Sequence, residues 1–551
     1  MKYRILNEEY QLNFLERLLK IRGIADYQSF FEPKFNEVWL DPFQMNDMEK
    51  GVNRIIEALK KNEKICIFGD YDVDGVTSSF CLYEFVRKFL HRENIFIKYP
   101  NRREDGYWLK NKHLDEMKSE GVQLIITVDN GITSIEEARY AKELGMEMII
   151  TDHHQILEQI PEAYAVINPN CSKQYPFKSL AGVGVAFKVI SAMLMKSNFS
   201  KEEKNQIFQY FLPVVTIGTI ADVVPLLEEN RIIVKKGLEL INKRRLPLKS
   251  LSGFISFLNF KKDLTSTDVA FTIAPRINAG GRMETPYDSL NVFTHEGAEQ
   301  LPFLEKLEKL NNERRKIQED GLKYAEETLN FDKKILIVAS ENFHEGVIGI
   351  IAGKLTEKYN KPSVIFRKDP EQGIATASLR GPDYFSVIDM LSAHKELLER
   401  CGGHKGAWGL TVKLENFEIL CQRLEAYCDE ILKDQDFEKE IVVDTKILPE
   451  EWNPKNIAFL DQFAPYGEGN EEPLFLFENI KIGNIEKIGK VWVGHMKIYG
   501  ERGNNLIQVI FWKKGNECDH ILCDTIDVIG RIQEDSYNKG YFIVGEELIE
   551  Q

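Results

Sequence analysis

The sequence predicts an α/β protein. A parallel-sheet domain is joined by a long helix to a second α/β domain, and a small OB-like β-barrel follows at the C-terminal end. Three observations carry this. Short apolar runs alternate with helix-period segments from about residue 46 to 230. A charged helical run spans 301–329. Residues 431–551 then hold five short β-type runs separated by turn signals. At 551 residues the chain is too long for a single core.

Residues 1–45 read as a helical lead-in, because Leu12, Leu15 and Leu19 fall at amphipathic spacing. Residues 46–295 form the first domain. Its pattern is helix 55–59, strand 65–68, helix 76–89, strand 124–128, helix 134–144 and strand 148–151, a βαβ series that implies a parallel sheet. Residues 296–330 are the connecting helix, with Leu304, Leu307 and Leu310 on one side. Residues 331–430 are the second α/β domain, built on strand 334–339, helix 346–359 and strand 363–366, and ending near a Gly402-Gly403-His404 loop. The barrel strands are expected at 474–477, 491–498, 506–512, 526–529 and 541–544.

Composition narrows the function. A hydrophobic content of 43% with 28% charged residues describes a soluble globular protein. No apolar run reaches about 18 residues, so no membrane association is expected. Glu8, Glu9 and Glu16 within the first twenty residues exclude a signal peptide. Eight cysteines without a CxxC pair point to a reducing compartment, the cytoplasm. The net charge of −15 argues against a passive nucleic-acid coat, though not against an enzyme with a local basic groove. Lys235, Lys236, Lys243, Arg244, Arg245 and Lys249 face a single acid, Glu239, in residues 231–249. That run is either a solvated helix face or the wall of a nucleic-acid channel.

The chemistry sits at the strand ends. Ile65-Cys66-Ile67-Phe68 runs into Gly69-Asp70-Tyr71-Asp72-Val73-Asp74-Gly75, with three carboxylates in five residues. Carboxylates this close repel unless a cation lies between them. The strand at 124–128 runs into Asp129-Asn130-Gly131, and Met148-Ile149-Ile150-Thr151 into Asp152-His153-His154. Open α/β sheets bind ligands at these carboxyl ends. Asp222, alone in the apolar stretch 216–226, completes the set. Singly, each acid reads as a helix cap or a turn residue. Together they form an oxygen-rich site with imidazole, suited to two divalent ions, Mn²⁺ or Mg²⁺. Such a pair activates a water and clamps the attacking and leaving oxygens of a phosphoryl transfer. Gly182-Val183-Gly184-Val185-Ala186 hints at a dinucleotide fingerprint, but no strand precedes it and the glycine spacing fails.

These segments resemble the four motifs of the DHH phosphoesterase superfamily: 70–75, 128–131, 152–154 and 221–226. Within it the chain resembles the RecJ family of bacterial single-strand-specific 5′→3′ DNA exonucleases, over roughly residues 50–545. Further similar segments are Pro100-Asn101-Arg102 with Gly106-Tyr107, and those at 181–188, 275–283, 344–350 and 463–470. The resemblance implies an exonuclease that releases 5′-mononucleotides from single-stranded DNA, in repair and recombination. It implies that Asp72 serves one metal and Asp74 the other, that Asp129 bridges them, and that His153 and Asp222 complete the ligands of the second metal. His154 touches the scissile phosphate, Asp152 orients a ligand, and Asp70 is an outer ligand or holds water. Residues 331–430 resemble the DHH-associated domain. There Ser378 and Arg380 are implied to hold a 5′ phosphate, and Gly402, Gly403 and His404 a second phosphate contact. Trp408 stands where the family usually has alanine, and Gly381 where it often has serine. Arg102, Tyr107, Arg276, Asn278 and Arg282 complete the expected substrate contacts, with an ordinary interdomain salt bridge as the alternative for Arg276, Arg282 and Arg380 and core packing for Tyr107. A helicase and a single-strand-binding protein are the implied partners. Two other readings stay open: a phosphodiesterase for short oligonucleotides or cyclic dinucleotides, or a pyrophosphatase, on one hand, and a catalytically inert replication scaffold on the other.

Overall fold

The computed structural model describes residues 2–100, 109–156, 159–404, 407–433, 437–489, 494–521, 523–535 and 540–550. The chain forms two compact units. One comprises Leu40–Val224 and Glu229–Lys439; the other comprises Met1–Trp39, Pro225–Glu228 and Glu440–Gln551.

The larger unit begins with a five-stranded parallel sheet. Its order is Ile95–Lys98, Ile65–Gly69, Leu124–Val128, Glu147–Thr151 and Ala165–Ile167. Ile65–Gly69 and Leu124–Val128 are buried along their whole length, as near-continuous apolar runs are when both sheet faces are covered. The expected alternation does not continue to residue 230. After Ala165–Ile167 the chain is helical through Gly182–Lys196, Lys201–Ala221, Glu228–Asn242 and beyond. Gly182–Lys196 is buried from its start to Leu194, and an all-round apolar helix has no amphipathic period to distinguish it from buried strand.

The helix Leu301–Thr328 buries Leu304, Leu307 and Leu310 as expected and leads into a mixed sheet. Leu336–Ser340 and Ser363–Asp369 pair in parallel, and Ile374–Arg380, Ala407–Lys413 and Leu398–His404 continue antiparallel. The Gly402-Gly403-His404 segment is therefore the end of a strand rather than a loop.

In the smaller unit Phe475–Ile488 pairs with both His495–Arg502 and Thr525–Asp535, and Gly540–Glu550 pairs with both Asn505–Phe511 and Thr525–Asp535. Five strands thus close a barrel. Phe475–Ile488, Thr525–Asp535 and Gly540–Glu550 run well beyond the short segments expected from sequence, while His495–Arg502 and Asn505–Phe511 have the expected length but are shifted along the chain. The N-terminal residues are not a purely helical lead-in. Lys2–Asn7 is a strand parallel to Glu440–Lys446, and Phe14 and Leu18 from the following helix enter the barrel core beside Phe475. Buried Arg17 fixes this arrangement through Thr445 Oγ1 and the Lys446 carbonyl, both at 2.9 Å, and Glu451 at 2.7 Å. Pro225–Glu228 also belongs here: the Leu226 amide donates to the Glu468 carbonyl at 2.8 Å.

Candidate metal centre

Asp70 follows the strand Ile65–Gly69, and its Oδ1 accepts the Tyr71 amide at 2.8 Å. Asp72 caps the helix Val73–Glu84, taking the Gly75 amide on Oδ1 at 3.1 Å. The cap reading is thus correct for Asp72, yet it uses one oxygen of two. Asp74, in the first turn of that helix, is fully buried. The first amides of Gly182–Lys196 hold it, Gly182 to Oδ2 at 2.6 Å and Val183 to Oδ1 at 2.8 Å. A helix N-terminus favours a negative group in this position. The rejected dinucleotide segment is therefore a carboxylate cradle. Nothing larger than glycine fits at 182, where a β-carbon would lie 2.7 Å from Cβ of Asp129.

Asp129 takes a left-handed φ of 58° just beyond Leu124–Val128, a conformation that aspartate tolerates better than most residues. Asn130 ties the strand ends together, donating to the Phe68 carbonyl at 3.2 Å and to that of Val128 at 2.9 Å. Asp152 accepts the Ile132, His153 and His154 amides at 2.9, 2.7 and 3.1 Å, and His154 Nδ1 at 2.7 Å. His153 Nε2 lies 3.1 Å from Asp129, 3.6 Å from Asp222 and 3.9 Å from Asp74. Asp222 ends the helix Lys201–Ala221, where the macrodipole disfavours an anion. Something other than helix stability holds it there.

The ligand atoms fall into three overlapping groups, each within 4.8 Å: Asp70, Asp72 and Asp129; Asp74, His153 and Asp222; Asp129, His153 and His154. Burial, then the neighbouring Asp222, pushes the Asp74 carboxyl up to about 8. Burial and the surrounding acids likewise drive Asp129 and Asp222 well above the carboxylate range. Burial and then the charge of His154 lower His153. Asp152 moves the other way: burial opposes its charge, but His154 outweighs burial and holds it well below the usual value. In turn, against burial, Asp152 pushes His154 up to about 9. Oδ2 of Asp222 and Nε2 of His153 are buried without a hydrogen-bond partner among the described residues. Crowded carboxylates with raised pKa values, one neutral imidazole and orphaned ligand atoms together fit a hard divalent cation.

The expected substrate residues are more dispersed. Arg102, Tyr107 and the His404 side chain lie outside the described residues. Arg276 pairs with Glu308 at 2.6 and 3.2 Å and donates to the Thr272 carbonyl at 2.7 Å, which is the ordinary ion-pair outcome. Asn278 Oδ1 accepts the Val73 amide at 3.3 Å and so braces the first motif. Arg282 lines a cleft of about 500 Å³ with His344, Glu345, Arg367 and Gln372; no motif or spacing in the sequence singles out Arg367. Ser378 and Arg380 share one strand face, Arg380 Nη1 donating to Ser378 Oγ at 2.9 Å. Strand register aligns Gly402 with Gly409 and Ser378, and His404 with Ala407 and Arg380. Trp408 is partly buried against the core of this domain, opposite Gly403.

A parallel sheet whose strand ends gather these acids and histidines, followed by a second α/β domain, defines a DHH phosphoesterase. The DHH family N-terminal domain matches residues 64–219, the DHHA1 domain 332–430 and the RecJ OB domain 443–543. The chain belongs to the RecJ family. It is 34% identical to the single-stranded-DNA-specific exonuclease RecJ of Bacillus subtilis (strain 168), across 98% of this chain and 68% of the relative. It is 31% identical to the Escherichia coli (strain K12) RecJ, across 84% and 82%. The structure of Thermus thermophilus RecJ in complex with Mn²⁺ superposes with a TM-score of 0.81 at 27% identity, covering 97% of this chain and 75% of that one. The Mg²⁺ complex gives 0.77 at 25% identity, covering 97% and 74%. The acid and histidine cluster is a divalent-metal site.

Proposed function

We propose that this chain is a single-stranded-DNA-specific exonuclease. It hydrolyses phosphodiester bonds from the 5′ end and releases 5′-mononucleotides, in DNA repair and recombination. The observation that carries the reading is that Asp129 belongs both to the Asp70–Asp72 group and to the histidine group, which supports a bridging role between two ions. When bound, two such ions supply Lewis-acid chemistry to the phosphate and to the attacking water.

The chain's own residues do the rest. Asp70 and Asp72 would hold one ion and Asp74, His153 and Asp222 the other. The Gly182 and Val183 amides fix Asp74. Asp152 sets the tautomer and charge of His154, which donates to the scissile phosphate. Ser378 and Arg380 take a terminal 5′ phosphate, the forked guanidinium matching its oxygens. Gly402 leaves open space beside that row, with no heavy atom of the described residues within 4 Å of where a β-carbon would stand. The relatives' names support single-stranded DNA as substrate, and the RecJ OB match supports a barrel that carries the strand. Among the described residues no helix is long and apolar enough to cross a membrane, and all eight cysteines are free. Cytoplasmic action beside a helicase and a single-strand-binding protein belongs to the same reading.

The test is a degradation time course on single-stranded DNA labelled at either end, with Mn²⁺ or with chelator, beside a blunt duplex and a dinucleotide. Metal-dependent mononucleotide release from the 5′ end, with the duplex spared, is expected. Activity confined to the dinucleotide would replace this reading with a small-substrate phosphodiesterase.

A further inference from the structure

The basic run noted in the sequence is only half of a larger cluster. Asn242 exchanges two hydrogen bonds with Leu264, Nδ2 to the carbonyl at 3.0 Å and the amide to Oδ1 at 2.8 Å. Arg244 donates to the Phe260 and Lys262 carbonyls, both at 3.4 Å. These bonds lay the 243–245 turn beside the 259–264 connection. Lys243, Arg244, Arg245, Lys261 and Lys262 therefore share one surface, and all are exposed. Asp263 is the single acid between residues 243 and 263. Lys262 lies 3.9 Å from Asp268, while no ion pair holds the other four cations among the described residues. On a chain of net charge −15 this concentration runs against the bulk composition.

Two further features accompany it. The connection continues through Thr265 into Val269–Ile273, where Phe271 is 77% exposed. The cluster is also remote from the metal centre. Gly237 lies against Thr216 and the Leu212 carbonyl, so Glu228–Asn242 runs back antiparallel along Lys201–Ala221. At 1.5 Å per residue this carries the 243–245 turn about 20 Å from Asp222.

We propose that this surface is a second single-strand-binding site. Its cations take the sugar–phosphate backbone and Phe271 stacks on a base. The proposal rests on DNA being the substrate and deepens that reading. At 3.4 Å per phosphate along a stacked strand, 20 Å corresponds to about six nucleotides. Drawn out to about twice that rise, about three nucleotides span it, so only a dinucleotide reaches the cleft or the cluster and never both.

The experiment uses the full chain in chelator. Fluorescence anisotropy follows binding of 5′-phosphorylated oligo-dT of two and of forty nucleotides over a salt series. The quadruple variant Lys243→Ser, Arg245→Ser, Lys261→Ser, Lys262→Ser spares Arg244 and its backbone bonds. It is expected to lose tenfold or more on the 40-mer and nothing on the dinucleotide. Its slope of log K against log salt should be shallower by about 3, since each single-strand phosphate contact contributes about 0.7. Phe271→Ala, a change at an exposed position, is expected to weaken the 40-mer about fivefold or more with the salt slope nearly unchanged. Unchanged 40-mer affinity in both variants, as a protein-docking or merely solvated surface would give, overturns the proposal. So does an equal loss on both lengths. A wild-type chain that binds neither strand overturns the substrate reading and this site with it.

Discussion

Gly182 and Asp129 approach so closely that a β-carbon on the glycine would stand 2.7 Å from Cβ of the aspartate. The contact is enforced from both sides, because the Gly182 amide is also bonded to Asp74 at 2.6 Å. One residue thus spaces two carboxylates that come from different strands.

Gly182→Ala is expected to push these carboxylates apart. The overpacking costs about 1–3 kcal/mol of stability, and Mn²⁺ affinity should fall tenfold or more, as it does when a group supporting metal ligands is disturbed. Calorimetric titration of Mn²⁺ against the variant, beside a thermal melt, checks both. Wild-type metal affinity would show that the spacing is unimportant.

Removing a charge from the cluster should have opposite effects with and without metal. In chelator, Asp129→Asn relieves repulsion among buried acids and raises Tm. With saturating Mn²⁺ it forfeits the metal's stabilisation and lowers Tm relative to wild type. A shift of the same sign in both conditions would remove Asp129 from the metal site.

The raised carboxyls fix a pH dependence. Asp74 has its folded-state pKa lifted to about 8, above the ordinary carboxylate value of about 4. Its contribution to stability is therefore full below pH ~4 and is lost as pH rises through about 8; Asp129 and Asp222 pull the same way. Divalent metal displaces those protons and removes the repulsion. The rise in Tm on adding Mn²⁺ should be larger at pH 8.5 than at pH 6, by about 2 °C or more. A rise independent of pH would mean that these acids are not what the metal meets.

Two arginines that look alike in sequence should separate experimentally. Arg276 is occupied by Glu308, so Arg276→Ala should cost about 1 kcal/mol of stability and leave DNA affinity unchanged. Arg380→Ala should instead weaken binding of a 5′-phosphorylated strand relative to a 5′-hydroxyl strand. A loss of that preference in the Arg276 variant would reverse the two assignments.

The clustered acids were legible because three of the four motifs follow a short apolar run that forms a buried strand, while Asp222 follows a buried helix instead. What surrounds them was not. The Gly182 cradle exists because a helix start approaches Asp74 from 108 residues away, and no local pattern encodes that approach. The expected loop at Gly402 is a strand because its partners, Gly409 and Ser378, supply the register. The strand Ala165–Ile167 has three residues and left no periodicity to read. Arg276 and Arg380 show the general limit: a sequence supplies a guanidinium but not its neighbours, which are Glu308 for Arg276 and the Ser378 hydroxyl for Arg380.

The pairing of Lys2–Asn7 with Glu440–Lys446 imposes an order on biosynthesis. At about 5–20 residues per second on the ribosome, the early strand waits roughly 20–90 s for its partner to be made. The catalytic sheet, whose strands all lie between Ile65 and Ile167, can assemble well before then. During that interval Phe14 and Leu18 have no barrel to enter, so the segment that carries them needs a chaperone's shelter. The unit that holds Glu440–Gln551 is completed well after the catalytic sheet, and Lys2–Asn7 is completed with it.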